Sequence, residues 1–438
     1  MGRQIRTGSS QLSDLDISSV AARQVWDSRG RPTIEVEIHL AIGASGRAIA
    51  PAGASTGSGE ALDLRDGGAT FGGYGVTKAL AGLRDEIIPA LVGQPADQQA
   101  HLDSILADLD GTPQFTRLGG NALIATSLAA AHAAAAGRNM PLWQSLGGTT
   151  EPLIPVPEIQ IFGGGAHAAG AMDLQDFMVV PFGASSFREA LEWVAEIYLA
   201  AGKLVSQRGL SVGVADEGGF WPVFESNEKA LDSLLASIES AGFDPATQVG
   251  MSIDVAASQF YRDGAYQLKA EGRALSPQDW YAQVSGWVRS YPIAMIEDPF
   301  TEHDHASHRA FTSEFGSRVQ IVGDDLLVTN RQNVEAAAAG HTCTALLCKP
   351  NQAGTLTRTR EAFDAAKAAG MGTIVSARSG ESEDTTIAHL AVGWASGQFK
   401  VGSFTRSERM AKWNEMLRIE ESLGTRARYA GGSVLGRT

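Results

Sequence analysis

The spacing of apolar residues changes along the chain, and each pattern predicts a different kind of structure. Residues 17–40 alternate apolar and polar side chains, as half-buried strands of an antiparallel sheet do. Apolar residues then recur at the spacing of helices, and the predicted helices span residues 75–91, 97–109 and 122–136. Together these elements predict a small α+β domain that ends near Gly148.

A second pattern begins near residue 245, where short apolar runs that end in a polar residue alternate with helix-length segments. The polar ends are Asp254, Glu297, Asp324, Lys349 and Ser376. The first four lie 43, 27 and 25 positions apart, about the length of one strand-and-helix unit of a (β/α)8 barrel. This periodicity predicts a barrel in the C-terminal part of the chain.

The two patterns divide the chain into three predicted regions. Residues 1–16 are polar and lack the apolar core of a signal peptide, so we expect a disordered tail. Residues 17–150 form the small α+β domain, and prolines at positions 152–157 mark the start of the barrel domain, residues 151–438. The predicted fold class is therefore α/β plus α+β.

Composition narrows the class of protein. The chain has 35 Lys and Arg against 49 Asp and Glu, a net charge of −14, which argues against a nucleic-acid partner. Its two cysteines, Cys343 and Cys348, exclude a disulfide framework and favour a cytoplasmic setting. The alanine-rich residues 122–137 are interrupted by polar side chains, so we expect a packed helix rather than a membrane span.

The polar ends of the barrel runs carry the first candidate chemistry. Because the C-terminal ends of barrel strands open on one face, Asp254, Glu297 and Asp324 are expected to converge there. Neighbouring carboxylates raise each other's pKa and call for a neutralising cation, and oxygen ligands favour Mg²⁺ over Zn²⁺. Separate, solvated strand ends are the alternative, and the repetition at barrel spacing argues against them.

Lys349 ends the next apolar run and is a candidate base. Nearby cations and partial removal from water are expected to lower its pKa toward the working pH, as proton abstraction from carbon requires. A surface lysine in a salt bridge is the alternative, and it fits less well directly after the apolar residues 345–347.

Three loops give weaker signals. Residues 216–219 place two acids beside a glycine pair, which often marks only a tight turn. Residues 51–57 are small or hydroxylated, which suits a mobile lid near a polyanion and equally suits any surface loop. Residues 163–167 end in a lone histidine, and such histidines are more often structural than catalytic.

Eight blocks of residues, spread from about residue 20 to 432, resemble the enolase family in order and spacing. The blocks are Asp27-Ser28-Arg29-Gly30-Arg31-Pro32-Thr33, Gly53-Ala54-Ser55-Thr56-Gly57 with Glu60-Ala61, Asp216-Glu217-Gly218-Gly219, Glu297-Asp298-Pro299-Phe300, Asp324-Asp325-Leu326, Lys349-Pro350-Asn351-Gln352, Arg378-Ser379-Gly380-Glu381 and Arg406-Ser407-Glu408-Arg409.

The resemblance implies a small N-terminal α+β capping domain and an enolase-type (β/α)8 barrel whose first strands and helices are irregular. The implied activity is that of a hydro-lyase, which removes water from 2-phosphoglycerate to give phosphoenolpyruvate. The family's dimer implies a homodimer formed through the small domain, where Arg23 and Glu35 would make an intersubunit ion pair.

The resemblance also implies two Mg²⁺ ions per active site. Asp254, Glu297 and Asp324 would hold the first ion, which grips the substrate carboxylate. Ser55, in the lid, would help bind the second ion, which arrives with the substrate.

Matched position by position, five further residues receive implied roles. Lys349 would take the proton from C2, and Glu217 would protonate the departing C3 hydroxyl. Lys400 would face the substrate carboxylate, while Arg378 and Ser379 would hold the phosphate. A proton beside a carboxylate is too weakly acidic for a lysine unless the enolate is stabilised, and the two ions with Lys400 would supply that charge.

Three departures from the family lie inside this implied site. Ala377 stands where the family has a histidine before its arginine. Gln175-Asp176-Phe177 replaces the family's Gln-Glu-Phe, which shortens a carboxylate near the leaving hydroxyl by one methylene. Gly163-Gly164-Gly165-Ala166-His167 replaces Asn-Gly-Gly-Ser-His. We place Asp176 and His167 among the catalytic candidates, and Gln175 and Ala377 among the substrate-binding ones.

These departures favour a shifted substrate. Replacing an imidazole by a methyl group beside Arg378 empties space and removes a donor, which suits a bulkier phosphorus group. Enolase paralogues of phosphonate antibiotic pathways dehydrate a carboxyphosphono analogue of 2-phosphoglycerate to carboxyphosphonoenolpyruvate, and this is our leading hypothesis. A glycolytic enolase that tolerates the changes is the alternative. A non-catalytic scaffold is a third reading, against which the retained base, acid and metal carboxylates argue.

Overall fold

The computed structural model describes residues 12–54, 56–147, 151–168, 170, 172–210 and 213–435. Ser55, the expected ligand of the second ion, and residues 1–11 of the expected tail lie outside the described residues. Within the remainder of that segment, Asp16 forms a backbone bridge with Pro95.

The N-terminal region is a three-stranded antiparallel sheet covered by helices. Its strands are β1 (Ile17–Trp26), β2 (Pro32–Leu40) and β3 (Ser45–Ile49), which pair in the order β1-β2-β3. Its helices are α1 (Thr77–Gly82), a π-helical turn (Leu83–Ile87), α2 (Ile88–Leu91), α3 (Gln99–Asp110), α4 (Gly120–Gly137) and α5 (Leu142–Gly147).

Alternation along β2 explains how this sheet is covered. Ile34, Val36 and Ile38 are fully buried, and the alanine-rich α4 packs against β2 and β3. Gly46 permits the close approach, because a Cβ built at this position would lie 2.0 Å from the backbone nitrogen of Ala133. The expected packed helix is confirmed, since α4 is buried along most of its length.

The C-terminal region contains the predicted barrel. The barrel strands are β4 (Val156–Gly163), β5 (Asp176–Val180), β6 (Gly250–Asp254), β10 (Ile293–Glu297), β11 (Gln320–Gly323), β12 (Ala345–Cys348), β13 (Gly372–Ser376) and β14 (Gly397–Gly402). A small separate sheet consists of β7 (Tyr261–Arg262), β8 (Ala265–Leu268) and β9 (Arg273–Leu275). Hydrogen bonds close the barrel in the order β4-β5-β6-β10-β11-β12-β13-β14. The predicted fold class is therefore confirmed.

One barrel strand runs against the others. β5 pairs antiparallel with both β4 and β6, whereas the remaining neighbouring strands of the described barrel pair in parallel. A reversed strand places its first residue, rather than its last, at the barrel face where its neighbours end. Asp176 therefore lies level with Asp254, its register partner at the end of β6.

Helices surround the barrel. They are α6 (Phe187–Gln207), α7 (Asn227–Ser240), α8 (Pro277–Ser290), α9 (His305–Phe315), α10 (Arg331–Gly340), α11 (Pro350–Ala353), α12 (Leu356–Ala368), α13 (Thr386–Gly393) and α14 (Ser407–Leu423). Six begin with a side chain that accepts a hydrogen bond from a backbone N–H of the first turn, as N-caps do. Apolar side chains such as Met295, Leu347 and Ile374 fill the barrel interior below its mouth.

The small domain is attached to the barrel at the edge of its mouth. Ala52 and Gly380 exchange two backbone hydrogen bonds of 2.9 Å, and the Ala61 N–H donates to the Gln352 carbonyl at 2.8 Å. The segment that links β3 to α1 therefore lies directly over the C-terminal ends of the barrel strands.

The structure also describes the cysteines, the Arg23–Glu35 pair and the helices that the sequence analysis considered. Cys343 and Cys348 are buried free thiols. Arg23 forms an ion pair with Glu35 within the chain, directly across β1 and β2, and the intersubunit pair and the homodimer remain predictions. Among the described residues, no helix combines the length and apolar composition that crossing a membrane requires.

Candidate active site

Each of the eight barrel strands carries a buried charged side chain at the mouth or, for Glu158, in the layer below it, and the charges are segregated. Five consecutive strands carry carboxylates, which we call the acidic arc: Glu158 (β4), Asp176 (β5), Asp254 (β6), Glu297 (β10) and Asp324 (after β11). The next three strands carry cations, which we call the basic arc: Lys349 (after β12), Arg378 (after β13) and Lys400 (β14). All eight residues are buried.

Lys400 joins the two arcs across the barrel. Its Nζ lies 2.7 Å from Glu297 Oε2 and 3.2 Å from Asp254 Oδ2, although β14 and β10 stand four strands apart. Burial lowers the pKa of Lys400, but Asp254 and Glu297 outweigh burial and raise this pKa well above its ordinary value. Lys400 is therefore a fixed cation at the centre of the mouth.

Lys349 is paired with a carboxylate of the neighbouring strand. Its Nζ lies 2.5 Å from Asp324 Oδ2. Burial lowers the pKa of Lys349, but the Asp324 charge outweighs burial, so this pKa lies above its ordinary value. The expected lowering of this pKa depends on a nearby metal cation, and it stays a prediction, because among the protein groups the charge nearest to Lys349 is a carboxylate.

The carboxylates of the acidic arc have the chemistry of a site for a hard cation. Glu297 Oε1 is buried and accepts no hydrogen bond from the described residues. Burial and the Asp254 charge raise the pKa of Glu297 well above its ordinary value, so a second positive charge would stabilise its ionised form. Oxygen ligands on three adjacent strands, with one oxygen unpartnered, fit Mg²⁺.

The tightest carboxylate cluster differs from the expected trio. Within the described part of the chain, oxygens of Asp298, Asp324 and Asp325 lie within 4.8 Å of one another. Burial and Asp324 raise the pKa of Asp325 to about 8. Asp254 and Glu297 face Lys400 instead, so the structure brings the three expected ligands to one mouth with lysines between them.

On the other side of the mouth, His167 lies between two acids. His167 Nδ1 is 3.1 Å from Asp176 Oδ1, and Nε2 is 3.8 Å from Glu217 Oε1. Burial lowers the pKa of His167, but Glu217 and Asp176 outweigh burial and raise it to about 9. Burial raises the pKa of Asp176, and the His167 charge outweighs it and brings this pKa to about 2. The structure therefore brings three of the four catalytic candidates into one group.

Two glutamines fix the acids around this group. Gln175 Nε2 donates to Asp254 Oδ2 at 2.9 Å, so the expected substrate-binding Gln175 contacts a carboxylate of the acidic arc. Gln160, on β4, donates to Asp176 Oδ1 and accepts from the Gly219 N–H at 2.8 Å. Gln160 thereby ties the shortened carboxylate to the loop that carries Glu217.

Arg378 has a partner that the sequence interpretation left unassigned. Its Nη1 donates to Glu60 Oε2 at 2.8 Å and to Asn351 Oδ1 at 3.0 Å, and its Nη2 lies 3.3 Å from Glu60 Oε1. The neighbouring Ser379 Oγ lies 3.4 Å from Arg29 Nη1, which links the opening strand motif to the mouth. The expected anion-binding residues are thus together, with Glu60 as counter-ion of Arg378.

Like Asp176, the two other departures from the family lie at this mouth. Ala377 is 7% exposed and lines a narrow cavity whose lining also includes Arg378, Ser379, His167 and Glu217. Gly163 is packed against the Glu217 loop, because a Cβ at this position would lie 2.6 Å from the Ala215 Cβ. A side chain as large as asparagine therefore requires a different position of that loop.

The sequence interpretation missed residues that support the mouth. Gln352 donates to Asp324 Oδ1 at 2.8 Å, and Arg409 donates to the carbonyls of Arg378 and Ser379 at 2.6 and 2.5 Å. Both lie in the family-like blocks, where they had no role. Glu158 lay outside the blocks, and the signal that could have revealed it is a polar residue at an alternate position of a fully buried strand.

The candidate base and acid lie on opposite walls. Lys349 follows β12 and Asp176 begins β5, and these strands stand four apart in either direction around the barrel. Glu217 is on the Asp176 side through His167. A small substrate in the cavity between them is therefore flanked by a lysine on one side and the acid group on the other.

Two family models match the chain one after the other. The enolase N-terminal domain matches residues 17–146, and the enolase C-terminal TIM barrel domain matches residues 151–437, well over half of the chain. Enolase-family domains imply a hydro-lyase that acts on a small phosphorylated substrate, and the family typically uses Mg²⁺. With the small N-terminal domain, the closed barrel and the charged mouth already described, these matches show that the chain belongs to the enolase family.

Proposed function

We propose that this protein is an Mg²⁺-dependent hydro-lyase that eliminates water from a 2-phosphoglycerate analogue with an enlarged phosphorus group. A carboxyphosphono compound that yields carboxyphosphonoenolpyruvate is such a substrate. The observation that carries this choice is Ala377, a methyl side chain in the cavity lining beside Arg378 and Ser379. Asp176 and Gly163 support it, because they alter the same mouth.

The reaction begins with removal of a proton from C2 by the Lys349 amine. Lys349 is buried and placed by the end of β12, and its backbone N–H is held by Thr329 Oγ1 at 2.9 Å. A buried amine freed from its carboxylate partner has a lowered pKa and becomes a base. The base function of Lys349 therefore depends on what else Asp324 binds.

Asp254, Glu297 and Asp324 would hold a first Mg²⁺ ion, and Ser55 would help hold a second. When bound, Mg²⁺ supplies positive charge that stabilises a developing enolate and neutralises the acidic arc. Lys400 remains an ammonium next to Asp254 and Glu297, where it attracts the substrate carboxylate.

Elimination is completed on the opposite wall. As the C2–H electrons form the C2–C3 double bond, the C3–O bond breaks, and a proton from Glu217 converts the departing hydroxyl into water. His167 holds Glu217 and Asp176 in place by contacts of 3.8 and 3.1 Å. Separate acid and base groups on opposite sides suit this elimination.

A glycolytic enolase is the second candidate function. Lys349, Glu217 and the three carboxylates are those that the family's own reaction requires, and Arg378 and Ser379 remain for a phosphate. The two functions share the elimination of water and differ in the phosphorus group of the substrate. A non-catalytic scaffold is the third reading, and loss of Mg²⁺ binding in calorimetry would support it.

The test is the ultraviolet-monitored formation of enol product with Mg²⁺, from 2-phosphoglycerate and from its carboxyphosphono analogue. We expect turnover of the analogue and negligible turnover of 2-phosphoglycerate. The Ala377→His variant restores the imidazole of the family, and we expect it to gain 2-phosphoglycerate turnover and lose turnover of the analogue.

Serine at the same position provides the matched control. Ala377→Ser adds a donor with little volume, so it separates loss of a hydrogen bond from loss of space. Rapid 2-phosphoglycerate turnover by the wild type would overturn the proposed substrate and leave a glycolytic enolase. We also infer a homodimer, and a monomeric mass in light scattering would contradict it.

A further inference from the structure

Asp298 is a buried carboxylate of the acidic side that has no role in the chemistry above. It follows Glu297 at the end of β10 and is 4% exposed. Its Oδ1 accepts the backbone N–H of Asp324 at 3.1 Å, and its Oδ2 accepts the backbone N–H of Asp325 at 2.6 Å. Both carboxylate oxygens are therefore engaged by the segment that follows β11.

That segment is a tight turn which needs such a partner. The Asp324 carbonyl accepts the N–H groups of Leu327 and Val328 at 3.0 and 2.7 Å, so the chain turns as a helix does. The first N–H groups of a helical turn have no partner within the turn and are costly to bury unpaired. Asp298 satisfies two of them from a neighbouring strand.

The backbone of Asp298 is held in an unusual conformation for this purpose. Its φ is +40°, in the left-handed region that non-glycine residues rarely adopt. Its own N–H donates to the Val322 carbonyl at 3.0 Å, which fixes it to β11. Strain of this kind persists where surrounding contacts hold it, and it is concentrated at functional sites.

We propose that Asp298 is a positioning residue, which sets the place of Asp324 by holding the backbone of its turn. The inference rests on the proposed function in one respect, that Asp324 is a carboxylate for Mg²⁺. Lys349 and Gln352 hold the side chain of Asp324, whereas Asp298 holds its backbone N–H. Loss of Asp298 would let the Asp324 backbone shift and change which oxygen faces the cation.

Asp325 offers a charge-matched control. It is also an acid of the same cluster, and its side chain accepts no hydrogen bond from the described residues. Asp298→Asn and Asp325→Asn each replace one carboxyl by an amide near Asp324. Only Asp298→Asn places an amide NH₂ against a backbone N–H, where two donors face each other.

The experiment is calorimetric titration of Mg²⁺ into the wild type and both variants, with thermal unfolding as a check of folding. We expect Asp298→Asn to weaken Mg²⁺ binding at least ten times more than Asp325→Asn does. Equal weakening by the two variants would overturn the positioning role. If the wild type itself binds no Mg²⁺, the proposed function fails first, and this inference fails with it.

Amide hydrogen exchange on the wild type tests the same contacts without a variant. The N–H groups of Asp324 and Asp325 are expected to exchange as slowly as those of the buried strand β11. Rapid exchange at both amides would overturn the inference even if Asp298→Asn fails to fold, because the two hydrogen bonds would then not persist.

Discussion

The acidic and basic arcs occupy the same rim and are satisfied very differently. In the acidic arc, Glu158 Oε2, Asp176 Oδ2 and Glu297 Oε1 are buried without a hydrogen-bond partner among the described residues. In the basic arc, each cation lies within 3 Å of a carboxylate oxygen. The carboxylates of the acidic arc therefore outnumber the lysines that contact them, whereas every cation of the basic arc already has a counter-ion.

The difference indicates what each side can take up. Unpartnered buried carboxylate oxygens favour a cation, because burial of an unpaired charge is costly. Cations that already have counter-ions can bind a substrate anion only by sharing or exchanging those partners. The acidic arc is thus suited to receive the metal, and the basic arc is suited to exchange carboxylates for the substrate's anionic groups.

The largest expected effect comes from removing the base of the basic arc. Lys349→Gln should lower turnover about 10³-fold, since general-base catalysis contributes effects of this size. Mg²⁺ binding should survive, because Asp324 loses only its lysine partner. Steady-state kinetics and calorimetry test both points, with the exposed helical Lys203→Gln as control. Near-normal turnover of Lys349→Gln would assign the base elsewhere.

The next prediction concerns the buried ion pair between Arg378 and Glu60. Glu60→Ala removes its buried carboxylate partner, and loss of one member of a buried ion pair costs about 3 kcal/mol of unfolding free energy. Denaturant unfolding measures it. Glu302→Gln is the control, because Glu302 contacts Ser58 of the same segment without a buried arginine. Equal losses in the two variants would show that the Glu60 pair contributes nothing special.

A smaller effect is expected when the acidic arc loses one oxygen. Glu297→Gln should weaken Mg²⁺ binding about 10- to 100-fold, the range seen when groups that support a metal site are removed. Calorimetry tests this, and Asp304→Asn, which removes an N-cap carboxylate outside the mouth, should leave the affinity unchanged. Unchanged affinity in Glu297→Gln would remove Glu297 from the metal site.

The smallest effect concerns pH and the His167 pair. His167 has its pKa raised from 6.5 to about 9, so its stabilisation is complete below about pH 6.5 and is lost as pH rises through 9. Asp176 has its pKa lowered from 3.8 to about 2, so its stabilisation is present above about pH 4 and is lost as pH falls through 2.

The pair should therefore stabilise the protein most between about pH 4 and 6.5. Without added divalent cation, the midpoint temperature of thermal unfolding should fall as the pH rises from 6 to 9.5. His167→Gln should flatten this dependence, and His101→Gln, on the exposed face of α3, should not. An unchanged pH profile in His167→Gln would contradict the raised pKa.

The barrel could be predicted because its signal is local and repeated. Apolar runs that end at Asp254, Glu297, Asp324 and Lys349 coincide with β6, β10, β11 and β12, since a buried parallel strand needs such a run. The reversed direction of β5 could not be derived from periodicity, because an apolar run has the same composition in either direction. The resemblance implied only that the first strands are irregular.

The site was predictable in its membership and not in its pairings. The spacing of strand ends predicted Lys349 and three acids at one face, and the family resemblance added Lys400. Which ammonium meets which carboxylate depends on packing across the barrel. Lys400 contacts Glu297 from four strands away, and Glu60 contacts Arg378 from the segment between β3 and α1. Long-range pairs of this kind leave no spacing pattern along the chain, so the carboxylate partner of Lys349 could not be predicted.

The pairing of β4 with β14, which closes the barrel, also determines when the barrel can be completed during synthesis. The strands of the acidic arc are all translated before the strands of the basic arc, and β14 comes last. A nascent chain that stops short of β14 has unpaired edges on β4 and β13, and its Glu297 and Asp254 lack Lys400. Open edges and uncompensated charge both disfavour a stable partial barrel. A truncated product is therefore expected to aggregate or to be degraded. Only the final strand closes the barrel and brings Lys400 to its two carboxylates.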